Sequence, residues 1–368
     1  MALTKAHYRM VEGAVSNVLD FGAVGDNSND DTTAIQAAIN AAGLVNGAVY
    51  FPVGTYKITA GLVIGNTVRL FGETTEGSII SNTTNDVVAI TIDSASRYAD
   101  RCVIENLRIN HEAASKYAIV IGDAPFAYLQ NVRIECNDAG FGGVLFGDEV
   151  TPNPAKGAYL ATMCHCRVWA FTDFGIRVNS TGSLWHFDQC HVSSTVASST
   201  GLLISKEGVR GTNIINIAAN FSVIGGTLVK FANSRYGRLM YPRIYNATGG
   251  GKLVEWNGGI SNEVYVDYQA AIAPITYTSG SNPIKYVTGV VSRANVSNVT
   301  TASSVTTEIV GHVTDMPTDF TPTHNGTAWN FIHASLSDDT ATSFSPPTTM
   351  GVVTIMNDDE PSTFGTVS

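Results

Sequence analysis

The sequence predicts an all-β solenoid, a parallel β-helix, from three observations. An apolar-polar-apolar triplet recurs, a second apolar series is interleaved with it at the same period, and the short alternating runs are separated by Gly, Asn, Ser and Thr. The triplet reads Leu107-Arg108-Ile109, Val132-Arg133-Ile134, Cys166-Arg167-Val168, Cys190-His191-Val192, Ile215-Asn216-Ile217, Pro242-Arg243-Ile244 and Val264-Tyr265-Val266, with centres 25, 34, 24, 25, 27 and 22 residues apart. The second series is Ile119, Val144, Ile176, Leu202, Leu228 and Leu253, with separations of 25, 32, 26, 26 and 25. A β-sandwich or jelly roll needs no fixed period and would not hold two series in step.

The elements follow in chain order. Residues 1–16 read as a short connector and 17–60 as a capping helix with the first strands. Asp30 or Asp31 suits an N-cap, Thr33 and Gln36 have capping-box spacing, and Ile35, Ala38, Ile39 and Ala42 share one apolar helical face. That face suits the open apolar end of a solenoid, so Asp20, Asp26, Asp30 and Asp31 read as turn and helix-start chemistry rather than as an active site. Residues 61–288 are the β-helix. Coils stack at about 4.8 Å, which makes Leu107, Val132, Cys166 and Cys190 one inward column and Ile109, Ile134, Val168 and Val192 another. Alternation fails just before these columns, so a bend is predicted at Asn106, Asn131, His165 and Gln189. Val120, Leu145, Leu203, Val229 and Val254, interrupted by Arg177, form an outward apolar stripe that suits either an interface between copies or a covering segment. Beyond residue 289 the period is lost and Ser, Thr, Val and Asn dominate, which predicts a separate β-rich module over 289–368.

Composition narrows the function classes. A charge of −10 argues against a nucleic-acid partner, and 44% hydrophobic residues with 14% charged ones fit a folded, non-membrane chain. No signal-peptide pattern opens the sequence. Five cysteines without scaffold spacing read as free thiols; Cys164, His165, Cys166, Cys190 and His191 raise a zinc question, but the register places Cys166 and Cys190 in the core, away from both histidines. No phosphate-cradling or nucleophile-elbow motif is present, so neither cofactor nor metal is implied.

Residues 17–59 carry Asp20-Phe21-Gly22-Ala23, Gly25-Asp26, Asp30-Asp31-Thr32, Ile35-Gln36-Ala37-Ala38-Ile39, Phe51-Pro52 and Gly54-Thr55-Tyr56. This stretch closely resembles the N-terminal signature of the pectate-lyase-like right-handed β-helix superfamily, especially bacteriophage tailspikes and capsule depolymerases. The resemblance implies a homotrimeric virion tail protein that binds and depolymerises capsular or lipopolysaccharide glycan at the bacterial surface; the short stretch ahead of the signature suits docking through an adaptor or baseplate protein, or a small secondary spike. It implies that the C-terminal region aids trimerisation or sugar binding.

The chemistry is sought among outward acids. The column Arg108, Arg133, Arg167, His191 stacks cations, which either an acidic ligand or Glu105, Glu135 or Asp188 would answer. Two residues on, Glu135 and Trp169 become neighbours, a carboxylate beside an aromatic face suited to a sugar ring. Glu135 with Asp173 is the leading catalytic pair for an endo-glycosidase, with Asp188 and Glu105 in reserve. Arg108, Arg133, Arg167, Trp169 and His191 are substrate contacts, joined by Asp148 and Glu149 in the surplus loop of residues 147–159. A non-catalytic receptor-binding spike and a lyase acting on a uronic-acid polymer stand as alternatives.

Overall fold

The computed structural model describes residues 15–93, 99–137, 139–147, 158, 160–180, 185–196, 199–204 and 215–221. Further along it describes 226–232, 238–240, 243–245, 252–260, 263–267, 275–281 and 284–288, then the short strands 299–300, 306–310, 329–331, 353–355 and 365–367. Nearly all strand pairing is parallel, and each strand pairs with its counterpart one coil away. Three ladders result. The first runs through Ala48–Phe51, Arg69–Gly72, Val103–Glu105, Tyr128–Gln130, Thr162–Cys164 and the start of His186–Ser194. The second runs through Gly54–Ile58, Ser78–Asn82, Arg108–His111, Arg133–Glu135, Arg167–Trp169 and the end of His186–Ser194. The third is a ten-stranded sheet from Leu62–Ile64 to Val299–Thr300.

The inward columns are those the period predicts. Ile109 is in register with Ile134, Ile134 with Val168 and Val168 with Val192, and all four are buried. Leu107, Val132, Cys166 and Cys190 are buried beside them, so the cysteines serve as small core residues. Between the first two ladders the chain turns at Asn106, Asn131, His165 and Gln189, with φ of 52°, 50°, 53° and 49°. Asparagine tolerates this left-handed conformation better than most residues. The Asn131 amide also donates to Asn106 Oδ1 at 2.8 Å, so these two bend residues form a short side-chain ladder.

The helix Thr32–Gly43 buries Ile35, Ala38, Ile39 and Ala42, as its periodicity predicts, against the first strands of the ladders. The details of its start differ from expectation. The Asp31 carboxylate makes no cap bond and instead accepts from Val24 N at 2.7 Å and Gly25 N at 3.0 Å, while Asp30 takes the Thr32 N–H at 3.0 Å. Gln36 forms no capping box: its amide exchanges two hydrogen bonds with the Val63 backbone, at 2.8 and 2.9 Å. Asp26 accepts from Ser28 N and Asn29 N. These backbone amides hold the Asp26 carboxyl below the usual range, and hydrogen bonds from Thr32 and Thr59 do the same for Asp30. Asp26, Asp30 and Asp31 are thus held in turn and helix-start hydrogen bonds.

Three register readings are corrected. Cys190, His191 and Val192 pair with Ile217, Ala218 and Ala219, not with Ile215-Asn216-Ile217, because the chain shifts register between Phe187 and Cys190. Val264 pairs with Leu239, on the strand before the bend. Leu202 pairs with Val229, and Val229 with Val254, so the second series slips by one residue after Leu202. Val229 and Val254 are therefore core, and the outward positions are Lys230 and Glu255, joined by an ion pair at 2.7 Å. The outward stripe is thus Val120, Leu145, Arg177, Leu203, Lys230, Glu255. Within it Leu145 and Leu203 are already buried by the chain itself. Past residue 288 the parallel ladders continue through Thr306–Val310 and Trp329–Phe331. Most of the anticipated C-terminal module lies outside the described residues.

The bend ladder makes a stability prediction. Asn131→Ala removes the 2.8 Å bond and puts alanine in the left-handed region, at an expected cost of about 1–2 kcal/mol. Asn131→Gly keeps the backbone and should cost less. Denaturant unfolding of the two variants would discard this account if alanine proved the milder change.

Candidate functional site

The second ladder presents the predicted outward row. Arg108 is in register with Arg133, Arg133 with Arg167, and Arg167 with His191; one alternation further on, Asn110, Glu135, Trp169 and Ser193 form the parallel row. At the ordinary spacing of about 4.8 Å between strands, adjacent guanidiniums would repel by roughly 3 kcal/mol per pair at an effective dielectric of about 20. Carboxylates answer the first two. Glu135, only 6% exposed, places one oxygen on Arg108 Nη2 and the other on Arg133 Nη2. Glu76, which the sequence reading passed over, places its own oxygens 2.6 Å from Arg133 Nη1 and 3.8 Å from Arg108 Nη1. Arg108 Nε donates to Asn110 Oδ1 at 2.9 Å.

Arg167 differs. Among the described residues it has no carboxylate partner, and its buried Nε has no hydrogen-bond acceptor. Its guanidinium lies 4.4 Å from the centroid of the Trp169 ring, with that of Arg133 at 5.8 Å. Such stacking orders the cation without neutralising it. Burial, and then Arg133, draw the Arg167 guanidinium below its usual range. His191 continues the row with a buried Nδ1 that has no hydrogen-bond partner among the described residues; burial, and then Arg167, lower its pKa. Trp169 keeps 36% of its surface exposed, a broad face next to Arg167 and Glu135.

The other predicted residues scatter. Glu105 is on the first ladder and is paired with Arg69 rather than with the cation row. Asp188, on the same ladder, is in register with Cys164, whose thiol lies 4.0 Å from its Oδ2. Asp148 and Glu149 lie outside the described residues. Asp173 stands just before the third-ladder strand Phe174–Asn179, whereas Glu135 ends the second-ladder strand Arg133–Glu135. The Asp173 backbone is pinned by Phe141 O at 3.0 Å and Thr200 N at 2.9 Å, and its neighbourhood is the third ladder, where Arg177 stacks on Phe174 at 5.5 Å. Burial raises the Asp173 carboxyl, with Arg177 opposing the rise. No described group of three or more His, Cys, Asp and Glu side chains converges to hold a metal ion.

Residues 15–138 match the family model for rhamnogalacturonase A/epimerase, pectate lyase-like proteins. In structure the chain is similar to ORF18 of Geobacillus virus E2, with a TM-score of 0.50 and 16% identity, over 96% of this chain and 63% of that one. The fold is a pectate lyase-like parallel β-helix. In sequence, 46 residues are 56% identical to the mannuronan C5-epimerase AlgE3 of Azotobacter vinelandii, and 64 residues are 47% identical to alginate lyase 7 of the same organism. These stretches are 12% and 15% of this chain, and 2% and 8% of those relatives. The family match of this pectate lyase-like helix takes in Glu76, Arg108, Arg133 and Glu135 and ends before Arg167, Trp169 and His191.

The site separates Asp173 from the row by a testable electrostatic signature. Its folded-state pKa is raised above 3.8, so the stability tied to its protonated form is full below that value and is lost as pH rises through the raised one. Asp173→Asn should therefore be more stable than the parent at neutral pH and show a flatter fall in stability from acid to neutral. An unchanged slope in unfolding experiments across pH would mean that the carboxyl is solvated.

Proposed function

We propose that the chain binds and depolymerises an acidic bacterial surface polysaccharide along the outward row of the second ladder. The observation that carries this reading is the imbalance of the row: three stacked guanidiniums, two answered by Glu135 and Glu76, and Arg167 held against Trp169 with no carboxylate among the described residues. A sugar ring on Trp169 would put its carboxylate on Arg167, with His191 continuing the subsite. The matches to polysaccharide-modifying proteins agree in substrate class.

Glu135, held between Arg108 and Arg133 and next to Trp169, is placed to act as the base or nucleophile of the reaction. We take endo-glycosidic hydrolysis as the leading chemistry, with Glu135 as the catalytic carboxylate; Asp188 and Glu105 are the acids of the adjoining first ladder. Arg167, which has no carboxylate partner among the described residues, also favours a second reading. A guanidinium that neutralises a uronate carboxylate makes the proton beside it easier to remove, which is the first demand of a lyase. In the organism, the resemblance of residues 17–59 supports a homotrimeric phage tailspike that docks on a virion adaptor and acts at the host surface.

Sizing the products of capsular and lipopolysaccharide glycans after incubation tests the enzyme directly. Shortened chains are expected, and ultraviolet absorbance near 235 nm would assign the lyase; retained binding with unchanged chain length would leave a receptor-binding spike. Glu135→Gln should lower kcat by about 100-fold or more, whereas Asp173→Asn should leave cleavage within about twofold. The reverse pattern would return the chemistry to the third ladder.

A further inference from the structure

At the coils of Glu105, Gln130 and Cys164 two residues join the first ladder to the second. Glu105 and Arg108 are separated by residues 106–107, but Phe71 and Ile79, their register partners one coil earlier, are separated by residues 72–78. The surplus builds a tethered strap. It begins at Gly72, where a Cβ would lie 2.3 Å from the Asn106 carbonyl oxygen, so the backbone passes too close for any side chain. The Thr74 carbonyl accepts from Gly77 N at 3.2 Å and Ser78 N at 2.9 Å. Thr75 Oγ1 donates to the Asn131 carbonyl at 3.1 Å, two coils on, and the Ser78 hydroxyl donates to the buried Phe51 carbonyl at 2.8 Å. These bonds tether the strap at both ends, and its Glu76 side chain reaches the cation row.

We infer that Glu76 determines the specificity of this row as an internal carboxylate that occupies Arg108 and Arg133 until a sugar carboxylate displaces it. The inference rests on the acidic-glycan reading above. Glu135 cannot take this role, because it sits on the strand, is buried, and has both oxygens engaged by arginines. Glu76 has a side chain that is 69% exposed, and its pairs are one close contact at 2.6 Å and one loose contact at 3.8 Å. Exposed ion pairs are weak, so an incoming carboxylate exchanges for Glu76 with little loss. A neutral sugar that needs the same space breaks the pair and returns nothing to the arginines. Glu76 therefore filters for charge, and the row accepts acidic chains over neutral ones.

The test is equilibrium binding of polygalacturonate, with one carboxylate per sugar, and of neutral dextran, to the full chain and to two variants. Glu76→Gln removes the internal competitor. Glu73→Gln makes the same change of net charge in the same strap, where Glu73 instead accepts from the Tyr50 hydroxyl at 2.9 Å. Glu76→Gln is expected to bind polygalacturonate about two- to fivefold more tightly than the parent at low salt. The gain should shrink as ionic strength rises, dextran binding should not tighten, and Glu73→Gln should match the parent. Equal affinity of the two variants, or weaker binding by Glu76→Gln, overturns the role of Glu76 and leaves the acidic-glycan reading standing. Failure of all three proteins to bind polygalacturonate overturns both. Because the readout is binding, loss of the depolymerase reading alone would not disturb it.

Discussion

In-register parallel stacking is the constraint on which everything else in this protein depends. Backbone hydrogen bonds tie each strand to its counterpart one coil away, so every side chain sits about 4.8 Å from the residue one period earlier. Inward, this turns the sequence period into apolar columns such as Ile109, Ile134, Val168 and Val192. Outward, it forces like residues together whether or not they attract, and a repeated basic position becomes a line of cations. The fold must answer that line or leave it for a ligand. Here it does both, with Glu135 and Glu76 at one end and, at the other, Arg167 without a carboxylate partner among the described residues.

The same constraint explains what the sequence made legible. Wherever one apolar residue stands between polar ones, as in Val132-Arg133-Ile134, the inward and outward faces are unambiguous, and the Arg108–His191 row and the Glu135–Trp169 neighbour pair follow from counting. Counting fails where apolar residues are adjacent. Leu228-Val229 and Leu253-Val254 offer two phases of equal hydrophobicity, and the wrong one turns a core valine into a surface stripe. The stretch from Ile215 to Ala219 fails likewise, because its register against Phe187–Val192 shifts between Ile215 and Ile217.

Within the site, strand residues were legible and loop residues were not. Asp173 and Trp169 are close in sequence, but the turn between them carries Asp173 to the third ladder, beside Arg177 and Phe174. Glu76 lies 57 residues before the arginine it pairs with, and no periodicity connects them. The signal in the sequence is extra length at a bend, present in residues 72–78 as in 147–159. In a solenoid, a departure from the period is as informative as the period itself, because surplus residues have only the outer surface to occupy.

The central claim is that the cation row, not the third ladder, receives the glycan. A structure of the chain with an acidic oligosaccharide tests it most directly. The account predicts a sugar ring on Trp169 with its carboxylate on Arg167 and the Glu76 side chain turned away from Arg133. A sugar seated instead against Asp173, Phe174 and Arg177, with the Glu76 pair intact, would contradict it.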